Sequence, residues 1–141
     1  MGTTTFSGPV KAGTIREGAS ANLGFVKMAQ SAAWTQSTTG ASTGIIIPAN
    51  SQITAISLLV TTAPDTANLL VGTTDGGTEL CTAVALGTSA DVILNGSTSI
   101  TDADTWKDVG TSDITVYTEA STGTSGVGII TVEYIQNNNL T

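Results

Sequence analysis

The chain has 141 residues, of which 40% are hydrophobic, 11% charged and 4% aromatic. This length suits one domain with its own core, and the apolar fraction excludes a chain too polar to collapse. Four Lys and Arg residues stand against eleven Asp and Glu residues, which gives a formal net charge of -7. Because the four cations are scattered along the sequence and form no basic patch, nucleic acid is not expected as a direct partner.

Thr is the commonest residue, and Ser, Gly and Ala replace much of the missing charge. Because Thr is β-branched, it suits a pleated strand better than a helix, so the composition favours strands and turns. No apolar run approaches the roughly 20 residues that a membrane-spanning helix needs. The start of the sequence lacks the pattern of a secretory signal, so we expect synthesis in the cytoplasm and no membrane partner.

Residues 1–20 differ from the rest and are predicted to form an extended N-terminal arm. Their apolar residues, Phe6, Val10 and Ile15, are widely spaced. Pro9 cannot donate a backbone hydrogen bond and favours extended geometry in the residue before it. A frayed terminus is the alternative interpretation of the same pattern.

The remaining residues, 21–141, are predicted to form a single domain of short strands. In chain order, strands are expected over 23–28, 44–48, 52–62, 68–73, 78–86, 91–94, 113–119 and 127–135. Residues 78–86 also fit a helical spacing, but we favour a strand there. Ile56, Leu58 and Val60 alternate with less apolar residues and should face the core. Two turn signals, Asp75-Gly76-Gly77 and Asn95-Gly96, separate neighbouring strands.

The strand spacing, together with the lack of a long helical period, predicts an all-β fold. We expect an antiparallel β-sandwich or a jelly-roll-like barrel with an extended N-terminal arm. Helix content should be low.

Few residues in the sequence suggest chemistry. There is no His, which removes the commonest general base and metal ligand. Asp102, Asp104 and Asp108 lie close together, and either a solvated acidic loop or a cation site would explain them; the Gly and later ligands of an EF-hand loop are absent. Cys81 lies among apolar residues and is predicted to be a small buried side chain and not a reactive thiol. We therefore expect no catalytic residues, no metal ligands and no cofactor.

Trp34 and Trp106 are the two largest side chains of the sequence. Exposed aromatic rings can serve as flat platforms for sugars, so a carbohydrate-binding module is one hypothesis. The other is that each Trp covers an end of the sandwich or lies in a subunit contact, where Trp is enriched.

Three stretches of the sequence resemble small head decoration (cement) proteins of tailed bacteriophages. They are the opening 3–13 (TTTFSGPVKAG), the segment 71–79 (VGTTDGGTE) and the closing pair of strands, 113–117 (DITVY) and 127–135 (VGIITVEYI). The resemblance spans most of the chain, although its motifs are low in complexity.

The resemblance implies a virion structural protein on the outer capsid surface. Its partners would be the major capsid protein and two further copies of itself in a homotrimer. Residues 2–16 of the arm, with Phe6, Pro9, Val10, Lys11 and Ile15 as candidate contacts, would touch the capsid or an adjacent subunit. A tail or fibre component of the same build remains an alternative, as does the sugar-binding module.

Overall fold

A computed structural model describes residues 11–17, 20–87, 92–94 and 102–136. These residues contain ten strands and one short helix, joined by turns and loops. The strands are β1 (Lys11–Glu17), β2 (Ser20–Phe25), β3 (Met28–Thr35), β4 (Ala41–Ile47), β5 (Gln52–Thr62), β6 (Ala67–Gly72), β7 (Cys81–Leu86), β8 (Val92–Leu94), β9 (Ile114–Ala120) and β10 (Val127–Ile135), and helix α1 (Ala103–Lys107) precedes β9. The predicted all-β fold is confirmed.

Eight of the strands form two antiparallel four-stranded sheets. The first sheet has the order β3-β10-β5-β8, and the second has the order β4-β9-β6-β7. Four of the strand pairs, β3 with β10, β4 with β9, β5 with β8 and β6 with β7, are nested within one another in sequence. This nesting is that of one long antiparallel hairpin rolled into two facing sheets, which is the jelly roll.

The space between the two sheets is filled by one apolar core. Ile56, Leu58 and Val60 of β5 are buried, which confirms the predicted core face of that strand. Ile130 and Val132 of β10 lie in the same core, while their neighbours Val127 and Ile129 are exposed. The period of two along β10 therefore places apolar residues on both faces of the first sheet.

The corner between the two sheets is closed by a side chain where the edge strands β3 and β4 meet. Gln30 Nε2 donates to Ile46 O at 2.6 Å, and Gln30 Oε1 accepts from Ile46 N at 3.3 Å. The same amide donates to Tyr134 Oη at 2.8 Å. Gln30 thus supplies the donor and the acceptor that a neighbouring strand would offer to the edge of β4.

Several predicted bounds differ from the structure. The strand predicted over 23–28 is confirmed for residues 23–25 only, because β2 ends at Phe25 and a separate strand, β3, begins at Met28. The strand prediction for 78–86 is confirmed for Cys81–Leu86 only, since residues 78–80 belong to the connection before it. Within 1–20, Lys11–Glu17 is a strand that pairs antiparallel with β2. The Asn95-Gly96 turn lies outside the described residues.

Helix α1 was not predicted from the sequence, and neither were the strands β1 and β3. The helix has five residues, which is too short for a helical period to be read. Asp102 caps its N-terminus, with Oδ1 accepting from Asp104 N at 3.0 Å and from Thr105 N at 3.4 Å. Trp106 on this helix is buried, and its Nε1 donates to Leu80 O at 2.9 Å. The helix therefore covers the core at the loop that leads into β9.

Candidate functional site: a hairpin and an exposed sheet face

The N-terminal strands β1 and β2 form a separate two-stranded sheet. Their register pairs Lys11 with Phe25, Thr14 with Leu23 and Ile15 with Asn22. The two strands pack mainly against each other, and no other described element packs extensively on them. An isolated two-stranded hairpin is at best marginally stable in water. We call residues 11–25 the N-terminal hairpin.

Of the residues predicted to contact a partner, Lys11 and Ile15 lie in β1 of this hairpin. Phe6, Pro9 and Val10 lie outside the described residues. The structure therefore places part of the predicted contact segment in a paired strand, where the sequence predicted an extended arm. The sequence signal for pairing was the alternation of Ala21, Leu23 and Phe25 with Ser20, Asn22 and Gly24 in β2.

The formal charges of the chain are divided unevenly along the sequence. Lys11, Arg16 and Lys27 are three of the four cations, and Glu17 is the single acidic residue that accompanies them. Residues 1–27 consequently carry a formal charge of +2, and the remaining residues, with one cation and ten acidic groups, carry -9. The N-terminal hairpin itself contains Lys11, Arg16 and Glu17 and carries a formal charge of +1, because Lys27 lies after it.

The outer face of the first sheet carries an apolar patch. Leu59 of β5 and Ile129 of β10 are cross-strand partners, and Val127 lies two residues from Ile129 on the same face. Their exposed fractions are 45%, 43% and 41%. Ala33 of β3, the partner of Ile129 on its other side, is also exposed. We call Ala33, Leu59, Val127 and Ile129 the outer apolar patch.

The surroundings of the outer apolar patch carry hydroxyl groups and no net charge. Ser31 and Thr131, one row along the sheet, share a hydrogen bond of 2.8 Å between their hydroxyls. Glu133 is the single charged residue in the four strands of this sheet as their bounds are given above, and Lys27 forms an ion pair with it. The outer face of this sheet thus lacks the unpaired charges that would be costly to desolvate in a protein contact.

The outer face of the second sheet has a different character. Glu119 lies on β9 beside the turn formed by Asp75, Gly76 and Gly77. The two are so close that a Cβ atom added at Gly76 would lie 3.3 Å from Glu119 Oε2. Glu79 holds this turn, because its carboxylate accepts from Thr73 N at 3.0 Å and this bond lowers the pKa of Glu79 below its ordinary value. Acidic groups therefore lie beside this turn of the second sheet, which also carries the exposed Ile46 on β4, whereas the outer apolar patch lies on the first sheet.

A buried amide links three loops at one end of the sandwich. Gln36 is 1% exposed, and its Nε2 donates to Thr122 O at 2.8 Å and Asp65 O at 3.1 Å. Its Oε1 accepts from Asp65 N at 2.9 Å and Gly126 N at 3.0 Å. A Cβ atom at Gly123, where φ is +79°, would collide with Asp65 and Gln36, so this loop requires glycine. The sequence analysis did not identify this cluster.

Asp65 extends the same network to the loop between β9 and β10. Its Oδ2 accepts from Thr124 N at 2.9 Å and from Ser125 N at 3.1 Å. The hydrogen bond from Thr124 N, followed by those from Ser125, lowers the pKa of Asp65 below its ordinary value. These groups form hydrogen bonds with one another, so the network holds the loops in fixed relative positions.

The three aspartates considered as a cation site each have a partner within the protein. Asp102 caps helix α1 and also accepts from Thr105 Oγ1 at 2.7 Å, which lowers its pKa. Asp104 pairs with Lys107 at 2.9 Å, and Asp108 Oδ1 accepts from Gly110 N at 2.9 Å. In the part of the chain that the structure describes, no group of three acidic, His or Cys side chains is placed to hold a metal ion.

The two Trp side chains are both buried, at 3% exposed for Trp34 and 9% for Trp106. A sugar platform needs the face of a ring to be open to solvent. Neither ring offers such a face, so the observation that suggested a carbohydrate-binding module no longer supports it. Both rings instead belong to the core.

The core also contains a small apolar cavity beside Cys81. Its volume is about 10 Å³, and Leu58, Leu69, Val71 and Val84 help to line it. That is about the space of one water molecule, far below what a ligand pocket needs. Burial raises the pKa of Cys81 to about 12, so the prediction of a small buried side chain is confirmed.

No protein-family model, no curated protein and no solved structure matches this chain. Helix α1, the helix of the described residues, is far too short to cross a membrane. The hypotheses about function therefore depend on the surfaces described above and on the resemblance of the sequence motifs.

Proposed function

We propose that this chain is a decoration (cement) protein that binds the outer surface of a bacteriophage capsid as a homotrimer. The major capsid protein is its partner, and it is made in the host cytoplasm before it assembles on the particle. The observation that carries the proposal is the N-terminal hairpin, a separate two-stranded sheet on which no other described element packs extensively. The resemblance of residues 3–13, 71–79 and the closing strands to decoration proteins supports the same assignment.

The work of such a protein is mechanical. A trimer that bridges neighbouring capsid subunits adds interface area, which must be broken before the shell can open. An interface of about 1,000 Å² or more is the usual size of a specific contact. Because the lattice repeats each contact many times, weak individual contacts add through multivalency.

The jelly roll supplies a rigid body for this role. Its core is continuous between the two sheets, and Gln36 braces the loops at one end. The hairpin is available to add contacts to a neighbouring surface, because main-chain groups at a strand edge can pair with another strand. The fold by itself hosts many functions, so the assignment depends on the hairpin and the motifs.

The test is the occupancy of purified phage particles by variants of the protein. Deleting residues 2–16 removes β1 apart from Glu17 and is expected to abolish occupancy of mature heads, measured by quantitative mass spectrometry. Unchanged occupancy after this deletion would refute the proposal that the N-terminal segment makes the contact. Finding the wild-type protein only in isolated tails would instead identify it as a tail or fibre component.

A matched pair of single substitutions separates the hairpin from the sandwich. Arg16→Gln removes one cation from the hairpin, and Lys107→Gln removes one from helix α1. Lys107 pairs with Asp104 on an exposed surface, where an ion pair contributes little to stability. We expect Arg16→Gln to lower occupancy in a salt-dependent manner and Lys107→Gln to leave it unchanged; equal effects would contradict a role of the hairpin.

A further inference from the structure

We propose that the outer face of the first sheet is the trimer contact: three copies turn this face towards a common axis and enclose a three-sided apolar core. The inference rests on the proposed trimer and names the surface that forms it. The occupant of the outer apolar patch is therefore the same patch of two further copies of this chain. Four observations carry the inference: the charge of the face, its hydroxyl groups, its breadth and the sizes of its side chains.

The first observation is that this face is neutral in a strongly acidic chain. The formal net charge is -7, so copies of the chain repel one another wherever acidic surfaces meet. Among the described residues from 28 to 136, Glu133 is the single acidic residue in the strands of the first sheet, and Lys27 pairs with it. The other eight lie outside these strands: Asp65, Asp75, Glu79, Asp102, Asp104, Asp108, Asp113 and Glu119. Copies can therefore approach one another at this face without bringing unpaired charges together.

The second observation is that hydroxyl groups of this face already have partners within the sheet. Ser31 and Thr131 share a hydrogen bond of 2.8 Å, and Thr61 Oγ1 donates to Val127 O at 3.1 Å. Covering a polar group that lacks a partner is costly, whereas these groups keep their hydrogen bonds when water is removed. The hydroxyl groups between the apolar side chains therefore add little to the cost of burying the patch.

The third observation is the breadth of the sheet. Its four strands, spaced about 4.8 Å apart, span about 19 Å. Three sheets of that breadth, arranged as the sides of a triangle, each lie about 5.5 Å from its centre. Two packed sheets lie about 10 Å apart, so each one supplies side chains that fill about 5 Å. Three copies of this sheet therefore enclose a space that their own outward side chains fill, which leaves no open channel along the axis.

The fourth observation is the distribution of side-chain size across the face. Where two sides of a triangle meet, the gap between the sheets narrows, so only small side chains fit there. The edge strand β3 turns Ala29, Ser31 and Ala33 outward, whereas the inner strands β5 and β10 carry Leu59 and Ile129. Two sheets packed face to face would stay about 10 Å apart over their whole breadth, and the small residues of β3 would leave voids. The distribution of size therefore favours three copies over two.

The arrangement also sets the direction of the N-terminal hairpins. A threefold axis along the strands brings the same strand ends of all three copies together. β2 leads into β3 at Met28, which pairs with Tyr134 at the end of β10 remote from Val127. All three hairpins therefore leave the trimer at one end, where a single capsid surface can meet them.

The mass of the protein in solution tests the contact. Leu59→Lys and Ile129→Lys each place three cations around the axis, and each is expected to reduce the mass from three times 14.1 kDa to that of one chain. Ile46→Lys is the matched control, because Ile46 is 47% exposed, against 45% for Leu59, but lies on β4 of the second sheet. It is expected to leave the trimer intact. Circular dichroism of each variant verifies that the sandwich is folded. A wild-type mass of one or two chains, or a folded Leu59→Lys trimer, would overturn the proposal.

Enlarging a small side chain separates three-sided closure from pairwise packing. Ala33→Leu adds bulk where two faces would meet, so it is expected to dissociate the trimer, although position 33 is exposed in the single chain. If two copies packed face to face, the same change would fill a void and strengthen their contact. Ala41→Leu is the control, since Ala41 is likewise exposed but lies on β4 of the second sheet. An Ala33→Leu protein as firmly trimeric as the wild type would overturn this packing.

Cross-linking identifies the occupant directly. Ile129→Cys places one thiol of each copy beside the axis, and a short bismaleimide is expected to join two chains of a trimer through it. Cys81 is buried and too inaccessible to compete. Ile46→Cys should give no such product at the same protein concentration. Failure of Ile129→Cys to cross-link in a folded trimer would overturn the proposal, because another surface would then hold the copies together.

Failure of this contact and failure of the proposed function are distinguishable. A wild-type trimer that gives the expected cross-link but is absent from phage heads would contradict the proposed function and leave this contact in place. A protein that decorates heads as separate single chains would overturn the contact and support the assignment to the capsid.

Discussion

Gln36 pairs with the backbone of Asp65 as a neighbouring strand would, with Oε1 accepting from Asp65 N at 2.9 Å and Nε2 donating to Asp65 O at 3.1 Å. One side chain thereby satisfies both main-chain groups of a residue in another loop. It also accepts from Gly126 N and donates to Thr122 O. A fully bonded buried amide of this kind fixes the relative positions of the loops that it joins.

Gln36→Ala is expected to destabilise the protein by about 3 kcal/mol or more, since it leaves several buried main-chain groups without partners. Gln30→Ala is the matched comparison, because Gln30 also bonds three groups but is only half-buried, so water can replace its amide. We expect a loss of about 1 kcal/mol there. Urea denaturation of both variants measures the difference. Equal losses of stability in the two variants would contradict the view that burial of Gln36 raises the cost of removing its amide.

The acid stability of the protein is expected to depend on Asp65. Its pKa is lower in the folded state than its ordinary value of 3.8, so the unfolded chain binds more protons in that range. The stabilisation is therefore complete above the ordinary value and is lost as the pH falls through the lowered one. Asp65→Asn should flatten the decline in melting temperature in this acidic range. Ser121→Ala, in the neighbouring loop, should leave the pH dependence unchanged.

Glu79 and Asp102 also have lowered pKa values, so they add to the same acid dependence in the wild-type protein. Asp65→Asn is therefore expected to reduce the pH dependence without abolishing it. If the variant and the wild type lost stability in parallel as the pH fell, the hydrogen bonds from Thr124 and Ser125 to Asp65 would make no pH-dependent contribution to the stability of the fold.

Cys81 is expected to resist thiol reagents in the native protein. Burial raises its pKa to about 12, so the reactive thiolate is scarce at neutral and mildly alkaline pH. Ellman's reagent at pH 8 should modify the chain only after denaturant is added. The Ile46→Cys protein is the positive control, since position 46 is exposed on the second sheet and should react at once. Rapid native labelling of the wild type would show that the core around Cys81 opens readily.

Ser51 is fully buried, and its hydroxyl has no hydrogen-bond partner among the described groups. An unpaired buried hydroxyl destabilises the folded state, so Ser51→Ala is expected to be neutral or to stabilise by about 1 kcal/mol. Ser121→Ala removes a hydroxyl that accepts from Asn68 N at 2.9 Å and should cost about 0.5 kcal/mol. Thermal denaturation compares the two. A clear loss of stability in Ser51→Ala would mean that its hydroxyl does have a partner.

Local patterns in the sequence predict most of the strands, because a sheet with one buried face imposes a period of two. The predicted bounds of β5 and β10 agree with the structure, because the core residues Ile56, Leu58, Val60, Ile130 and Val132 recur at every second position. Helix α1 was missed, because five residues are too few for a period of 3.6 to be visible. The sequence also does not give the nesting of the strand pairs, which follows from contacts between residues distant along the chain.

The surfaces were harder to predict than the strands. Val127 and Ile129 belong to the same apolar run as the core residue Ile130, so the sequence gives no signal that they face outward. Gln36 follows a strand and resembles an ordinary loop residue, and only its distant partners Asp65 and Gly126 reveal its burial. Of the two hypotheses for the Trp residues, burial agrees with the one in which each ring covers an end of the sandwich.

The nested pairing of strands affects how the chain can fold during synthesis. β10 lies between β3 and β5, so the first sheet lacks an inner strand until residue 135 has left the ribosome. Until then, β3 and β5 have unpaired edges and an open apolar side, which favours association with other nascent chains. Pairing between strands so distant in sequence is also intrinsically slow. Productive folding of the first sheet therefore waits until β10 has emerged from the ribosome.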